Sequence, residues 1–503
     1  WRQALQTLSI LLRNTSLCLV CVWCITFCCS HGNIFASDTI AKQSNFEFLV
    51  GTAVSLHTLT YGISLIANVP VLLPLQFIRH PQGPAPRSNY RHIATIGFCA
   101  ARLIRHTFVN FAASLTTLII ILVLSYRAPK SLRQLNPEYY GSALCIHGFT
   151  TAGAIAVSRI FRDETVIGRQ LSRHTSKLRR MNTSRWRGGV VHYWRMYARL
   201  FPMVLLGMCA GMYVRIASKY RVSGALGVLW YTLGSLAIKF VLKEIAKIVI
   251  VKQRIHDPRK IFIIVGLPTV LIDTQVRIML QRVQSIRYTL WWTLGMAMLE
   301  IATRLTKVVW VKHQLERRER VAHTRKTAPS SNIVAMVGDT ICRHNHLGSM
   351  SRRHSSAHSA TTLLKRFGTL RDDSQVIQWK LQMLTFQIAE SYASMAAEYI
   401  AIVCSTSVLY FYWNHPKYDL NEYEPDAYDP DQSQGQTQSF QATALVIQVF
   451  VEIVVDYVSC VLEISNGIEF QEVQRYRVYL ALLFLCIAAV NVHICVFVYR
   501  HVE

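Results

Sequence analysis

The chain predicts an all-α fold, a polytopic transmembrane bundle of about ten or eleven spans, and three observations carry that reading. Eleven apolar stretches divide its 503 residues, several near the roughly 20 apolar residues that a bilayer crossing requires. Lys and Arg concentrate in alternate gaps between those stretches. The mean hydropathy is positive, +0.25, although the chain carries a formal net charge of +26. A soluble protein so basic would point to nucleic acid, because Lys and Arg displace counterions from phosphates. Here the charge sits in short loops beside apolar segments, where it orients spans and attracts anionic lipid headgroups. The expected partners are therefore the lipid bilayer and anionic lipids, with no nucleic acid.

The first stretch, Leu8 to Cys29, reads as a retained span. A signal peptide is the alternative, but no small-x-small cleavage site follows Cys29 closely. Cys18, Cys21, Cys24 and Cys28 reproduce the C-x2-C-x2-C-x3-C spacing of a ferredoxin cluster site. They stand in an apolar run with Cys29, not Pro, after the last of them, so they read as buried thiols. Cys28 and Cys29 at its edge are acylation candidates. Of the thirteen cysteines no set forms a disulfide framework, and no cofactor is expected.

Phe48 to Ile78 is interrupted by Asn68, Pro70 and Pro74. Thr107 to Ser125 and Gly141 to Ser158 follow, the latter with Gly148, Ala152, Gly153 and Ala156 on a face of small residues. Leu200 to Ile216 contains Gly207 and Gly211 as a GxxxG, which permits close helix approach and carries no chemistry. A homo-oligomer built on such faces is left open. Ser223 to Leu242 is next. Ile261 to Asp273 is short and holds Gly266 and Pro268, so it reads either as a full crossing or as a re-entrant or broken helix. Backbone groups freed by breaks at membrane depth line cavities, so the two interrupted stretches are candidates for a binding cavity; ordinary proline kinks are the alternative. Tyr288 to Val311 completes a section of about eight spans over residues 1–311.

Residues 312–375 are rich in Ser, His and Arg, without an apolar period, and read as a cytosolic linker. Within it Arg352-Arg353-His354-Ser355 matches the form favoured by basophilic kinases. A phosphate on Ser355 would release a polybasic strip from anionic lipid; an unmodified solvated loop is the plainer reading. Residues 376–503 form a second section with three spans: Ser394 to Trp413, Ala442 to Glu463 and Val478 to Tyr499. The loop 414–441 between them is acidic.

With the N-terminus in the cytosol, the inner segments hold 38 of the 54 Lys and Arg and the outer segments 12. That excess predicts a cytosolic 312–375 and an outer or lumenal 414–441, in a plasma membrane or endomembrane. The sequons at Asn14 and Asn182 are then expected to stay unglycosylated.

The densest chemistry lies in the tenth stretch. Gln448, Glu452, Asp456, Ser459 and Glu463 fall at i, i+4, i+8, i+11 and i+15, one polar stripe on an apolar helix. Glu390 and Glu398 repeat the pattern with Ser394 between them, and Glu300 and Asp273 add further acids in or beside spans. An ionised carboxylate at membrane depth costs several kcal/mol unless it meets water, a cation or a basic partner, which makes these residues candidates for a proton or cation path. The competing reading is ion pairing with Lys239, Lys243, Lys247, Arg215 or Arg304 as glue for the bundle, Glu300 and Arg304 being spaced i, i+4.

Enzyme motifs are sparse. His344 and His346, and His354 and His358, lie in the Ser-rich linker, and Asp429-Pro430-Asp431 mimics the Asp-x-Asp of glycosyltransferases. Walker, G-x-S-x-G, H-E-x-x-H and potassium-filter sequences are absent. The sequence therefore predicts an ion or small-solute transporter or channel. The alternatives are a receptor or scaffold working through its basic loops, and a membrane-embedded transferase.

Overall fold

The computed structural model describes residues 1–33, 39–72, 95–133, 137–160, 164–165, 185–219, 224–252, 258–282, 286–327, 356–413, 415–418, 420, 434–468, 470, 473–474 and 476–500. Among these the regular elements are helices: α1 (Arg2–Ser30), α2 (Asn45–Leu72), α3 (Ile96–Arg127), α4 (Lys130–Arg133), α5 (Pro137–Ile160), α6 (Arg185–Ser218), α7 (Gly224–Lys252), α8 (Pro258–Arg282), α9 (Ile286–Thr327), α10 (Ser356–Tyr412), α11 (Gln434–Ser465) and α12 (Arg477–Val498). Eight of them, α1, α2, α3, α5, α8, α10, α11 and α12, are long and apolar enough to cross a membrane. The chain is an all-helical integral membrane protein.

Three expected spans look different in place. The apolar part of α6 is confined to Val204–Ser218. Helices α7 and α9 are long, but their middles carry Lys239, Lys243 and Lys247, and Glu300, Arg304 and Lys307. The seventh stretch, open to either a full crossing or a broken helix, is a continuous helix of 25 residues. Pro268 withholds one amide from the Ile264 carbonyl, yet α8 continues through it inside the bundle, packed by neighbours on several sides. It packs most extensively on α10 and also meets α6, α7 and α12. Helix α2 likewise runs unbroken to Leu72, past Asn68 and the Pro70 position, and Asn68 donates to the Ser64 carbonyl one turn back at 2.7 Å. Pro74 lies outside the described residues. The ends of 312–375 are helical as well, α9 reaching Thr327 and α10 starting at Ser356.

Lipid tails are as apolar as Leu, so helix association in a bilayer relies on van der Waals packing and interhelical hydrogen bonds. Both are present. Tyr392 of α10 stacks on Phe484 of α12 with centroids 5.8 Å apart, and both are fully buried. Asn491 donates to Thr274 at 2.6 Å, Tyr499 to Gln275 at 2.5 Å, and Ser142 pairs with His493 at 2.9 Å. Such bonds contribute about 0.6 kcal/mol each on average. Side chains left at the periphery, such as Val109, Ile120, Leu226 and Phe450, are large and apolar, as lipid contact requires.

The small residues of α6 pack within the chain. A Cβ on Gly207 would meet Leu267 of α8 at 3.0 Å, and one on Gly211 would collide with the Tyr139 hydroxyl of α5. One end of the bundle is tied by polar contacts. His415 bonds the Ser30 carbonyl at 2.7 Å, Lys417 donates to the Gln43 carbonyl and to Asn45, and Arg500 pairs with Glu138 at 2.8 Å.

Candidate functional site

Helix α11 presents two faces, as its period predicts. Gln448, Glu452, Asp456, Ser459 and Glu463 are all buried, while Val446, Phe450, Val454 and Val458 are exposed on the far side. At 1.5 Å per residue the stripe extends about 22 Å, most of a hydrocarbon core. It faces α8, α9 and α10, and each of these offers polar residues at the same helical spacing.

The partners come from far along the chain. Gln448 accepts from Gln281 at 3.4 Å, and Glu452 pairs with Arg277, both partners on α8. Asp456 accepts from Arg304 of α9 at 3.0 Å, and Glu463 accepts from Ser391 of α10 at 2.8 Å. Glu390 pairs with Lys307, and Glu398 lies 3.8 Å from Arg304. Glu300 and Arg304 are paired along α9, as their spacing predicts. Lys239 of α7 holds both oxygens of Asp273 at 2.8 Å. Lys243, one turn further on, donates to Ser394 at 2.8 Å.

These side chains surround a cavity of about 100 Å3 between α7, α8, α9, α10 and α11. Its wall includes Lys239, Lys243, Asp273, Arg277, Glu300, Arg304, Lys307, Glu390, Glu398, Gln448 and Glu452. Asp456 and Glu463 stand behind them in the same network. The network therefore contains five basic side chains and seven acidic ones. Three acids take a basic partner one to one: Asp273, Glu390 and Glu452. Glu398 and Asp456 share Arg304 with Glu300, and Glu463 has a hydroxyl. One oxygen each of Glu398, Glu452, Asp456 and Glu463 has no hydrogen-bond partner among the described residues, and neither does Ser459 Oγ. Buried polar atoms are nearly always bonded, so these open acceptors set this part of the network apart from its paired remainder.

Glu300, Glu398 and Asp456 bring carboxylate oxygens within 4.8 Å of one another, a spacing that suits a metal ion. The guanidinium of Arg304 reaches all three. It supplies the positive charge that an ion would bring, so the residues present fit an arginine-centred cluster better than a metal centre.

Other residues singled out in the sequence do not meet here. Gly266 packs toward Ile487, and neither it, Pro268 nor Asn68 lines the charged cavity. Cys18, Cys21, Cys24 and Cys28 lie on one continuous helix, with Cys18 buried and Cys24 exposed. Ten residues of helix span about 15 Å, too far for four thiolates to converge on one cluster. Ser355, His344, His346, His354, Asp429, Asp431 and Asn182, and most of loop 414–441, lie outside the described residues.

Two residues of the network were misplaced or passed over. The positive-inside count assigns Arg277 to an outer loop, whereas it stands half-buried in α8 against Glu452. Lys307 carries no signal alone. The available signal is the period: Asp273, Arg277 and Gln281 repeat at i, i+4 and i+8, and Glu300, Arg304 and Lys307 at i, i+4 and i+7.

No family model, no curated protein and no solved structure matches this chain.

Proposed function

We propose that this protein is an ion or small-solute transporter or channel, and that Glu452, Asp456 and Glu463, with Gln448, Ser459, Glu390 and Glu398, form its proton or cation path. The observation that carries the reading is the network's surplus of two carboxylates over basic side chains, Asp456 and Glu463 standing behind a cavity whose wall holds five acids and five bases, with acid oxygens left open. Ionised carboxylates in that position are costly, and a proton or a cation removes the cost. A stripe of about 22 Å can relay such a charge across most of the bilayer. In this reading the basic loops face the cytosol and anionic lipid, and Ser355 is a regulatory position.

A second reading is favoured by the ion pairs. Arg277 and Arg304 engage Glu452, Asp456 and Glu300, as glue in a receptor or scaffold would. Flux measurements on reconstituted liposomes separate the two. Proton or cation flux that Glu452→Gln with Asp456→Asn abolishes, in folded protein, supports the path. Absence of flux in wild type, with a destabilised double variant, supports the glue.

A further inference from the structure

Among the described residues, the network contains one basic side chain that is bonded to no acid. Lys239 and Lys307, its neighbours in the wall, are occupied by Asp273 and Glu390. Lys243 lies between them and is 8 % exposed, and its only hydrogen bond among the described residues is to the Ser394 hydroxyl. No carboxylate lies within ion-pair distance of it among those residues. A buried ammonium has three N–H donors, and among the described residues one of them, to Ser394, is matched at the cavity wall.

The remaining wall determines what would complement it. Leu236, Phe240, Leu280 and Met296 give the cavity an apolar side. A cavity of about 150 Å3 accepts benzene, so one of about 100 Å3 accepts a solute on the order of four or five non-hydrogen atoms. A short aliphatic carboxylate matches each feature: two acceptor oxygens for the ammonium, a small apolar tail for the leucine and aromatic side, and a fitting size.

We infer that the cavity binds a small monocarboxylate, with Lys243 as the anchor for its carboxylate group. The inference rests on the cavity being a transport site and adds the class of solute. The surplus acids on α10 and α11 give a reason for its companion: protons that neutralise Glu398 and its neighbours remove the repulsion a carboxylate would otherwise meet, so solute and proton travel together.

Equilibrium binding tests this apart from flux. The full chain in lipid nanodiscs is titrated with sodium propionate, with propionamide as the neutral isostere and with sodium chloride as the salt control, and binding is followed by thermal stability. Propionate raises the unfolding temperature, propionamide and chloride do not, and Lys243→Met weakens propionate binding by about tenfold or more, the loss expected for a charge-assisted contact. Propionamide or chloride acting as well as propionate, no response to any of them, or undiminished binding in Lys243→Met overturns the assignment. The comparison of propionate with propionamide needs no variant, so it decides the question even if Lys243→Met does not fold. Proton or cation flux without propionate binding sinks the carboxylate alone and leaves the acid path standing.

Discussion

Asp456 of α11 and Arg304 of α9 are joined by a 3.0 Å hydrogen bond across 152 residues of sequence, and the same guanidinium reaches Glu300 and Glu398. One arginine is thus the counter-charge of three carboxylates. Its removal and theirs are not equivalent.

Arg304→Met leaves three acids without a cation and is expected to destabilise the bundle by about 3 to 5 kcal/mol, the cost of breaking a buried pair from one side. Adding Asp456→Asn to that variant recovers part of the loss. Thermal unfolding of the two single variants and the double one in nanodiscs measures the coupling; strictly additive effects would show that the two side chains act independently.

The two glycines of α6 differ in what surrounds them. Gly207→Ala meets only the flexible end of Leu267 and is expected to cost little. Gly211→Ala must displace the Tyr139 ring, and overpacking of that kind costs about 1 to 3 kcal/mol. Unfolding midpoints for the two variants test the order, and a larger loss at Gly207 contradicts the packing described.

A pH dependence is expected from His415, which follows the span of α10. Burial holds its pKa below the ordinary 6.5, against the opposing pull of the Ser30 carbonyl. Its Nε2 donates to that carbonyl, and its Nδ1 accepts from the Lys417 amide at 3.1 Å, so the neutral ring satisfies both contacts. As pH falls below 6.5 the unfolded state takes up the proton first. The stabilisation is therefore complete above about pH 6.5 and is lost as pH falls toward the depressed folded value. Unfolding temperatures of wild type and His415→Gln across that range should converge on the acid side; parallel curves would remove His415 as the source.

Cysteine reactivity should follow exposure along α1. Cys24 is exposed while Cys18 and Cys29 are buried, so a membrane-permeant maleimide is expected to label Cys24 first. Mass mapping of the labelled peptides after brief exposure checks the order, and early labelling of Cys29 would contradict the packing of α1.

The inward face of α11 was legible because five polar side chains at helical spacing leave one orientation that hides them. What they touch was not, because Arg277 and Arg304 reach them from 175 and 152 residues away, and local spacing carries no information across that distance. The pair within reach of a local rule, Glu300 and Arg304, is the one the sequence anticipated. Helix α8 was misjudged for a related reason. Asp273 and Arg277 look like the end of an apolar stretch until Lys239 and Glu452 are brought beside them, and Pro268 looks like a break until the surrounding helices are in place. The eight apolar helices needed only composition and length.

The central position of α8 also dictates an order of assembly. Its charges are answered by residues on both sides in the sequence: Lys239 of α7 is synthesised before it, and Glu452 of α11 long after it. When α8 leaves the ribosome Asp273 already has its partner, but Arg277 must wait for the last quarter of the chain. The segment that ends inside the bundle therefore enters the bilayer with Arg277 unpaired until α11 arrives.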